Sequence, residues 1–189
     1  MIATETPWTL KRGRTLLRIA RQSLSEALGF GEAPSGYDDP WLREPGATFV
    51  TLRLRGDLRG CVGSIQAYRP LFDDVWRNAR ASAFHDTRFP PVEPGELGEI
   101  SMEVSLLSAP EPVPCTCEAE ALRLLRPGVD GVIFECEEHR STFLPQVWEQ
   151  LPDPRDFLDH LRRKAGLGRG FWAPEVRISR YGVLKWEEE

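Results

Sequence analysis

The sequence predicts an α+β fold with two lobes, on three observations. Stretches with apolar residues at helical spacing stand apart from stretches that alternate every second residue. Two pairs of strand-like segments are joined by tight-turn residues, which favours antiparallel hairpins over parallel crossovers. Between them, Pro110, Pro112 and Pro114 form a stiff connection unsuited to a sheet interior. A chain of 189 residues buries one good core, or two small ones, but not two full-sized domains. Residues 1–189 are therefore read as one domain whose lobes divide near 108–118.

The elements follow in order. Leu17, Ala20, Leu24 and Leu28 recur at helical spacing among Arg18, Arg21, Gln22 and Glu26, giving an amphipathic helix from about Lys11 to Leu28 that Gly29 and Gly31 stop. From Ala33 to Gly46, three prolines and two glycines without periodicity read as a surface connection. Val50, Leu52 and Leu54 alternate with polar residues, Gly56-Asp57 suits a tight turn, and Leu58 to Ile65 returns as the partner strand. Turn chemistry also accounts for the tripeptide Arg55-Gly56-Asp57 without any adhesive role.

Pro70, followed by Asp73 and Asp74, opens a helix with Phe72, Val75, Ala79 and Ala83 on one face. Arg88-Phe89-Pro90-Pro91 must break it, because a residue before proline leaves the helical region. Glu99 to Leu107 alternates as a half-buried strand. Past the prolines come a short helix near Glu118 to Leu125 and a second hairpin, Gly131 to Glu135 with Ser141 to Leu144. Asp153-Pro154 starts a helix, lined by Phe157, Leu158, Leu161 and Ala165 and ended by Gly166. A last strand spans about Glu175 to Trp186, so both halves run hairpin, helix, strand.

Composition narrows the function. With 41% hydrophobic residues, six Trp and nine Phe there is material for a core. A net charge of −5, with acidic and basic residues interleaved, offers no stripe for a phosphate backbone, so nucleic acid is not an expected partner. The basic stretches Lys11 to Arg21 and Arg162 to Lys164 read as solvated helix faces. No apolar run reaches bilayer length, and Glu5 and Pro7 interrupt any signal sequence, so no membrane and a cytoplasmic location are expected. Cys61, Cys115, Cys117 and Cys136 are then expected as reduced thiols. Cys115-Thr116-Cys117 lacks the second ligand pair of a metal site, and no nucleotide, zinc or calcium motif is present; no metal and no cofactor are expected.

Chemistry centres on Leu58-Arg59-Gly60-Cys61-Val62-Gly63, because two glycines in a strand cost stability and call for close approach by a ligand or another backbone. Alternation puts Arg59, Cys61 and Gly63 on one face, where a guanidinium favours a thiolate beside an open patch of backbone. Against this, a turn at Gly56-Asp57 pairs Cys61 with Leu52 and makes it an inert buried thiol, unless a bulge near Gly60 inverts the register. His85, His139 and His160 are scattered, with none in a nucleophile motif. The break at Arg88-Phe89-Pro90 could fold Asp86 and Arg88 back toward the hairpin, either for catalysis or as a structural ion pair.

That hexapeptide, with Asn78, Asp86 to Pro91, Glu103-Val104-Ser105, Gly128 to Gly131, Thr142 to Val147 and Lys164-Ala165-Gly166, resembles the AMMECR family over about Leu16 to Tyr181. Val62 stands for an isoleucine of the family's pattern and Thr87 for a proline. The resemblance implies two lobes, each with a small mixed or antiparallel sheet flanked by helices, meeting across a cleft. It implies Memo-like and radical-SAM partners, as in the A component of the AmmeMemoRadiSam system. It also implies a site of Arg59, Gly60, Cys61 and Gly63, with Asp86, Arg88, Thr142 and Gln146 as cleft walls. Two functions are expected from this: an enzyme or enzyme component binding a small polar or anionic metabolite, with Cys61, Arg59 and Asp86 as catalytic groups; or a non-catalytic adaptor docking those partners through Trp41, Trp148 and Trp172.

Overall fold

A computed structural model describes residues 7–32 and 34–188, with only the backbone of Pro7 and Trp8; the readings made on Glu5 and Ala33 lie outside the described residues. The chain folds as two compact units, one holding the described residues 7–107 with 184–188 and the other 108–183.

In the first unit α1 spans Pro7–Ala27. Gly29, at φ 84°, closes it: Gly29 N–H donates to Glu26 and Phe30 N–H to Ser25, which satisfies the last carbonyls of the helix. The connection after it is more ordered than its prolines suggest. Leu42, in a single 3-10 turn, is 1% exposed in the core, and β1 (Pro45–Gly46) then leads into β2 (Thr48–Leu54) and β3 (Asp57–Gly63). Next, β4 (Arg69–Pro70) pairs with β1, α2 follows at Leu71–Phe84, and β5 runs over Ile100–Leu107.

The sheet order is β10-β5-β2-β3, with β2 antiparallel to both its neighbours, and β10 is Val183–Glu187. Leu16, Ile19, Ala20 and Leu24 of α1 and Val75, Ala79 and Ala83 of α2 pack with Val50, Leu52, Met102 and Val104 into one core. Both helices therefore cover the face bearing Val50 and Leu52, and β3 is left as an edge strand. Asp74, fully buried, ties this unit together: it accepts from Thr48 N–H and Oγ1, Ser64 Oγ, Arg69 Nε and Asn78 Nδ2 at 2.7–3.0 Å.

The second unit contains β6 (Glu111–Pro112), α3 (Glu118–Leu124), β7 (Gly131–Cys136), β8 (His139–Phe143), α4 (Pro154–Lys164) and β9 (Arg177–Tyr181) in an antiparallel sheet of order β6-β9-β7-β8. Pro112 sits on an edge strand, where its missing N–H leaves no gap in the ladder. Asp153 caps α4 by accepting from the N–H groups of Arg155 and Asp156. Phe157, Leu158 and Leu161 bury against Val132, Phe134 and Ile178.

Two expectations are corrected. The last strand is two strands broken at Gly182, so that β9 completes this sheet and β10 returns to the first unit's sheet. Trp148, read as an exposed anchor, is 3% exposed, stacks on Phe157 and donates its Nε1–H to the Asp130 carbonyl; Trp41 and Trp172 are also partly buried against the cores. No helix among the described residues is long and apolar enough to cross a membrane.

Candidate functional site

The β2–β3 turn decides where Cys61 points. Its central residues are Arg55 and Gly56, both at positive φ (54° and 92°), so the turn lies one residue earlier than Gly56-Asp57 and pairs Leu54 with Asp57. Continued without interruption, that register would set Cys61 opposite Val50, on the core face. It does not continue. Arg53 pairs with Leu58 and Leu52 with Gly60, so Arg59 is an unpaired bulge residue and everything beyond it shifts by one. Cys61 consequently faces Thr51, half-buried on the face opposite Val50 and Leu52, and the Thr51 hydroxyl donates to its sulfur at 3.3 Å.

The bulge commits Arg59 elsewhere. Its guanidinium donates to both Glu96 carboxylate oxygens (2.7 and 3.0 Å) and to the carbonyls of Pro90 and Pro91 (2.9 and 3.2 Å). The side chain is 10% exposed. This bidentate pair holds the Glu96 carboxyl below the usual carboxylate range, helped by the Glu93 N–H and opposed by burial. Arg59, expected to hold ligand charge, instead fastens the 90–96 loop to β3, beside a cavity of about 320 Å³ that it shares with Phe89 and Glu93.

Neither glycine leaves an open patch. Gly60 lies opposite Leu52 on the core face, where a Cβ would collide with the Ser82 carbonyl oxygen of α2. At Gly63 the space of a Cβ is filled by the Phe49 ring and the Thr48 carbonyl oxygen. Ser82 joins helix to strand a second time, accepting from Val62 N–H and donating to the Val50 carbonyl.

Asp86 and Arg88 do fold back to the hairpin. Asp86 Oδ2 accepts the Cys61 N–H at 2.8 Å and Arg88 Nη2 at 2.7 Å, Oδ1 accepts Arg88 Nε at 2.9 Å, and Arg88 Nη2 reaches the Cys61 carbonyl at 3.4 Å. The pair thus occupies the free edge of β3 at Cys61, where a further strand would otherwise add. The Arg88 hydrogen bonds hold the Asp86 carboxyl well below its ordinary range, outweighing the opposing effect of burial, and the Cys61 N–H adds to them. Asp86 is nearly buried, whereas Arg88 is 55% exposed.

Residues 17–186 match the model of the AMMECR1 family. The chain belongs to that family. Among AMMECR1 relatives, a protein of Methanothermobacter thermautotrophicus is 38% identical over 97% of both chains. One of Thermofilum pendens is 36% identical over 93% of this chain and 85% of its own. The crystal structure of an uncharacterized protein from Pyrococcus horikoshii superposes with a TM-score of 0.80 at 32% identity, covering 95% of this chain and 92% of that one.

In this AMMECR1 protein Thr142 and Gln146 belong to the second unit. Thr142 Oγ1 donates to the Val132 carbonyl and shares a hydrogen bond with the Tyr181 hydroxyl, which in turn donates to Phe143; Gln146 is exposed in the 3-10 turn Pro145–Glu149. Cys117 is exposed, and burial pushes the half-buried Cys115 thiol up. His139 and His160 lie against backbone carbonyls, and His85 caps α2.

Sequence reasoning missed Thr51, Glu103 and Lys185. Thr51 lies between Cys61 and Glu103 in one row across three strands. Alternation along Glu99 to Leu107 sets Glu103 on the face opposite Met102 and Val104, yet its side chain is 7% exposed and Oε2 stands 2.6 Å from Lys185 Nζ, close but out of line for a hydrogen bond. Polar residues at matching positions of two strands were the available signal, and only the true register connects them to Cys61.

Proposed function

We propose that the protein is an enzyme or enzyme component that acts on a small polar or anionic metabolite through Cys61, in company with Memo-like and radical-SAM proteins. The observation that supports this is the bulge at Arg59, which brings the thiol to a polar, half-buried position under the Thr51 hydroxyl when either plain hairpin register would have buried it among Val50 and Leu52. Asp86 positions the strand at Cys61, and the exposed guanidinium of Arg88 is the group beside it able to meet an anion. Arg59, Gly60 and Gly63 set the frame. The adaptor reading loses support with the burial of Trp148.

The test is alkylation of the native protein with iodoacetamide, mapped by mass spectrometry, alongside Cys61→Ala in cells that depend on the pathway. Labelling of Cys61 that a candidate metabolite suppresses, with loss of pathway output in the variant, is expected. An unreactive Cys61 together with a fully active Cys61→Ala protein sinks the proposal.

A further inference from the structure

A groove of about 520 Å³ lies along α1, lined by Leu10, Lys11, Arg14, Thr15, Arg18 and Asp39, and it shares no residue with the Cys61 site. Lys11, Arg14 and Arg18 follow each other at i, i+3 and i+7, with Thr15 at i+4, and so project from one side of the helix. The sequence alone presents this run as a solvated face, but two structural features separate it from one.

The first is the absence of neutralisation. Elsewhere in this unit most arginines are matched to carboxylates: Arg21 to Glu188, Arg43 to Asp38, Arg55 to Glu99, Arg59 to Glu96, Arg69 to Asp74, Arg80 to Glu26 and Arg88 to Asp86; Arg53, which donates to the Gly56 carbonyl, and Arg77 stand singly rather than in a cluster. Among the described residues Lys11, Arg14 and Arg18 form no salt bridge, although the chain carries five more acidic than basic charges. Three cations and one carboxylate, Asp39, therefore face a single hollow.

The second is preorganisation. The Arg18 guanidinium lies 5.0 Å from the centre of the Tyr37 ring, and that ring is fixed in turn by a 2.7 Å hydrogen bond from its hydroxyl to Gln22 and by contact with Phe72. A stacked guanidinium keeps its N–H edges free for an oxyanion at little further entropic cost.

We propose that this groove binds a phosphorylated small molecule of nucleotide size. Its volume falls within the range of about 300–1,000 Å³ typical of small-molecule sites. Lys11, Arg14 and Arg18 would take two or more phosphate charges, Asp39 would accept from a ligand hydroxyl, and Leu10, 37% exposed, would meet the ligand's apolar part, while the Thr15 hydroxyl is already given to the Lys11 carbonyl.

Calorimetric titration of the full chain with pyrophosphate, ADP and adenosine tests this. Pyrophosphate and ADP are expected to bind, ADP more tightly, with an affinity that falls as salt is raised; adenosine is expected not to bind. The exposed double substitution Lys11→Ala/Arg14→Ala should weaken ADP binding roughly tenfold or more, the loss expected for charged hydrogen bonds, with an unchanged melting temperature. Asp39→Asn, whose side chain makes no capping bond, should strengthen pyrophosphate binding by removing the one like charge, a gain that misfolding cannot mimic. The proposal is overturned by the absence of saturable binding of either probe, by an ADP affinity unchanged in the double variant, or by binding confined to single-stranded oligonucleotides or acidic peptides.

Discussion

Replacing Gly60 by alanine separates the two reasons a strand can carry a glycine, admission of a ligand and admission of neighbouring backbone. In this protein a Cβ at residue 60 would overlap the carbonyl oxygen of Ser82, a backbone atom of a helix whose Leu71, Val75, Ala79 and Ala83 are locked into the core. A flexible side chain could turn away; α2 can yield only by shifting as a body. Inserting one methyl into such a contact costs about 1–3 kcal/mol where side chains absorb it, and the upper end applies where backbone must move. At about 3 kcal/mol, and about 2–4 °C per kcal/mol for a chain of this size, Gly60→Ala should melt about 6–12 °C below the parent protein. Gly98→Ala is the control, since a Cβ there meets nothing within 4 Å. Thermal unfolding followed by far-UV circular dichroism compares the three proteins. If Gly60→Ala melts within about 2 °C of the parent, less than 1 kcal/mol is at stake and the helix does not rest on that residue as described.

Arg59→Met should cost about 3 kcal/mol in urea denaturation, because it leaves the Glu96 charge with only the Glu93 N–H, and two proline carbonyls without donors, at a largely buried site; an unshifted midpoint would show the 90–96 loop to be held by other contacts. The pH dependence of stability provides a further check through Asp86. Its carboxyl pKa is depressed in the folded protein, so its contribution is fully present above the unfolded value near 4 and is lost as pH falls below it toward the depressed folded value. Asp86→Asn should therefore be less stable than the parent at pH 7, with the gap narrowing steadily below about pH 4. A gap that stays constant through acid would mean that the Arg88 pair contributes no charge-dependent stability.

The legible part of this fold was whatever local periodicity controls. The apolar stripe of α1, the Asp153 cap of α4 and the alternation of β5 are written into neighbouring residues and need no knowledge of what packs on them. What was hidden depends on register. Whether Arg55-Gly56 or Gly56-Asp57 forms the turn is a choice of one residue, and glycine occupies both. The bulge at Arg59 has no local signature at all, since Leu58 and Arg59 suit an unbroken strand equally well; it is stabilised by Glu96, thirty-seven residues on. Gly60 and Gly63 announced close approach without saying by what, and Ser82 and Phe49 supply the answer. The split of the last strand was hidden for a similar reason: Gly182 marks the place, but only tertiary pairing sends β9 and β10 to separate sheets.

These assignments narrow where chemistry can reside in Leu58–Gly63. Arg59 is occupied by a loop, Gly60 by a helix, Gly63 by an aromatic ring, and Val62 offers no functional group. Had the segment served only to pack, the register without a bulge would have placed Cys61 against Val50, where a small apolar thiol fits well. Instead the chain accepts an unpaired residue in the ladder, matches Arg59 to a distant glutamate and caps the strand edge with Asp86 and Arg88, and Cys61 reaches the polar face in consequence. An interrupted ladder is stable here because Arg59 makes four hydrogen bonds away from its own strand. Its two results, the anchored loop and the redirected thiol, have one cause, so a variant that restores an unbroken register must lose both together.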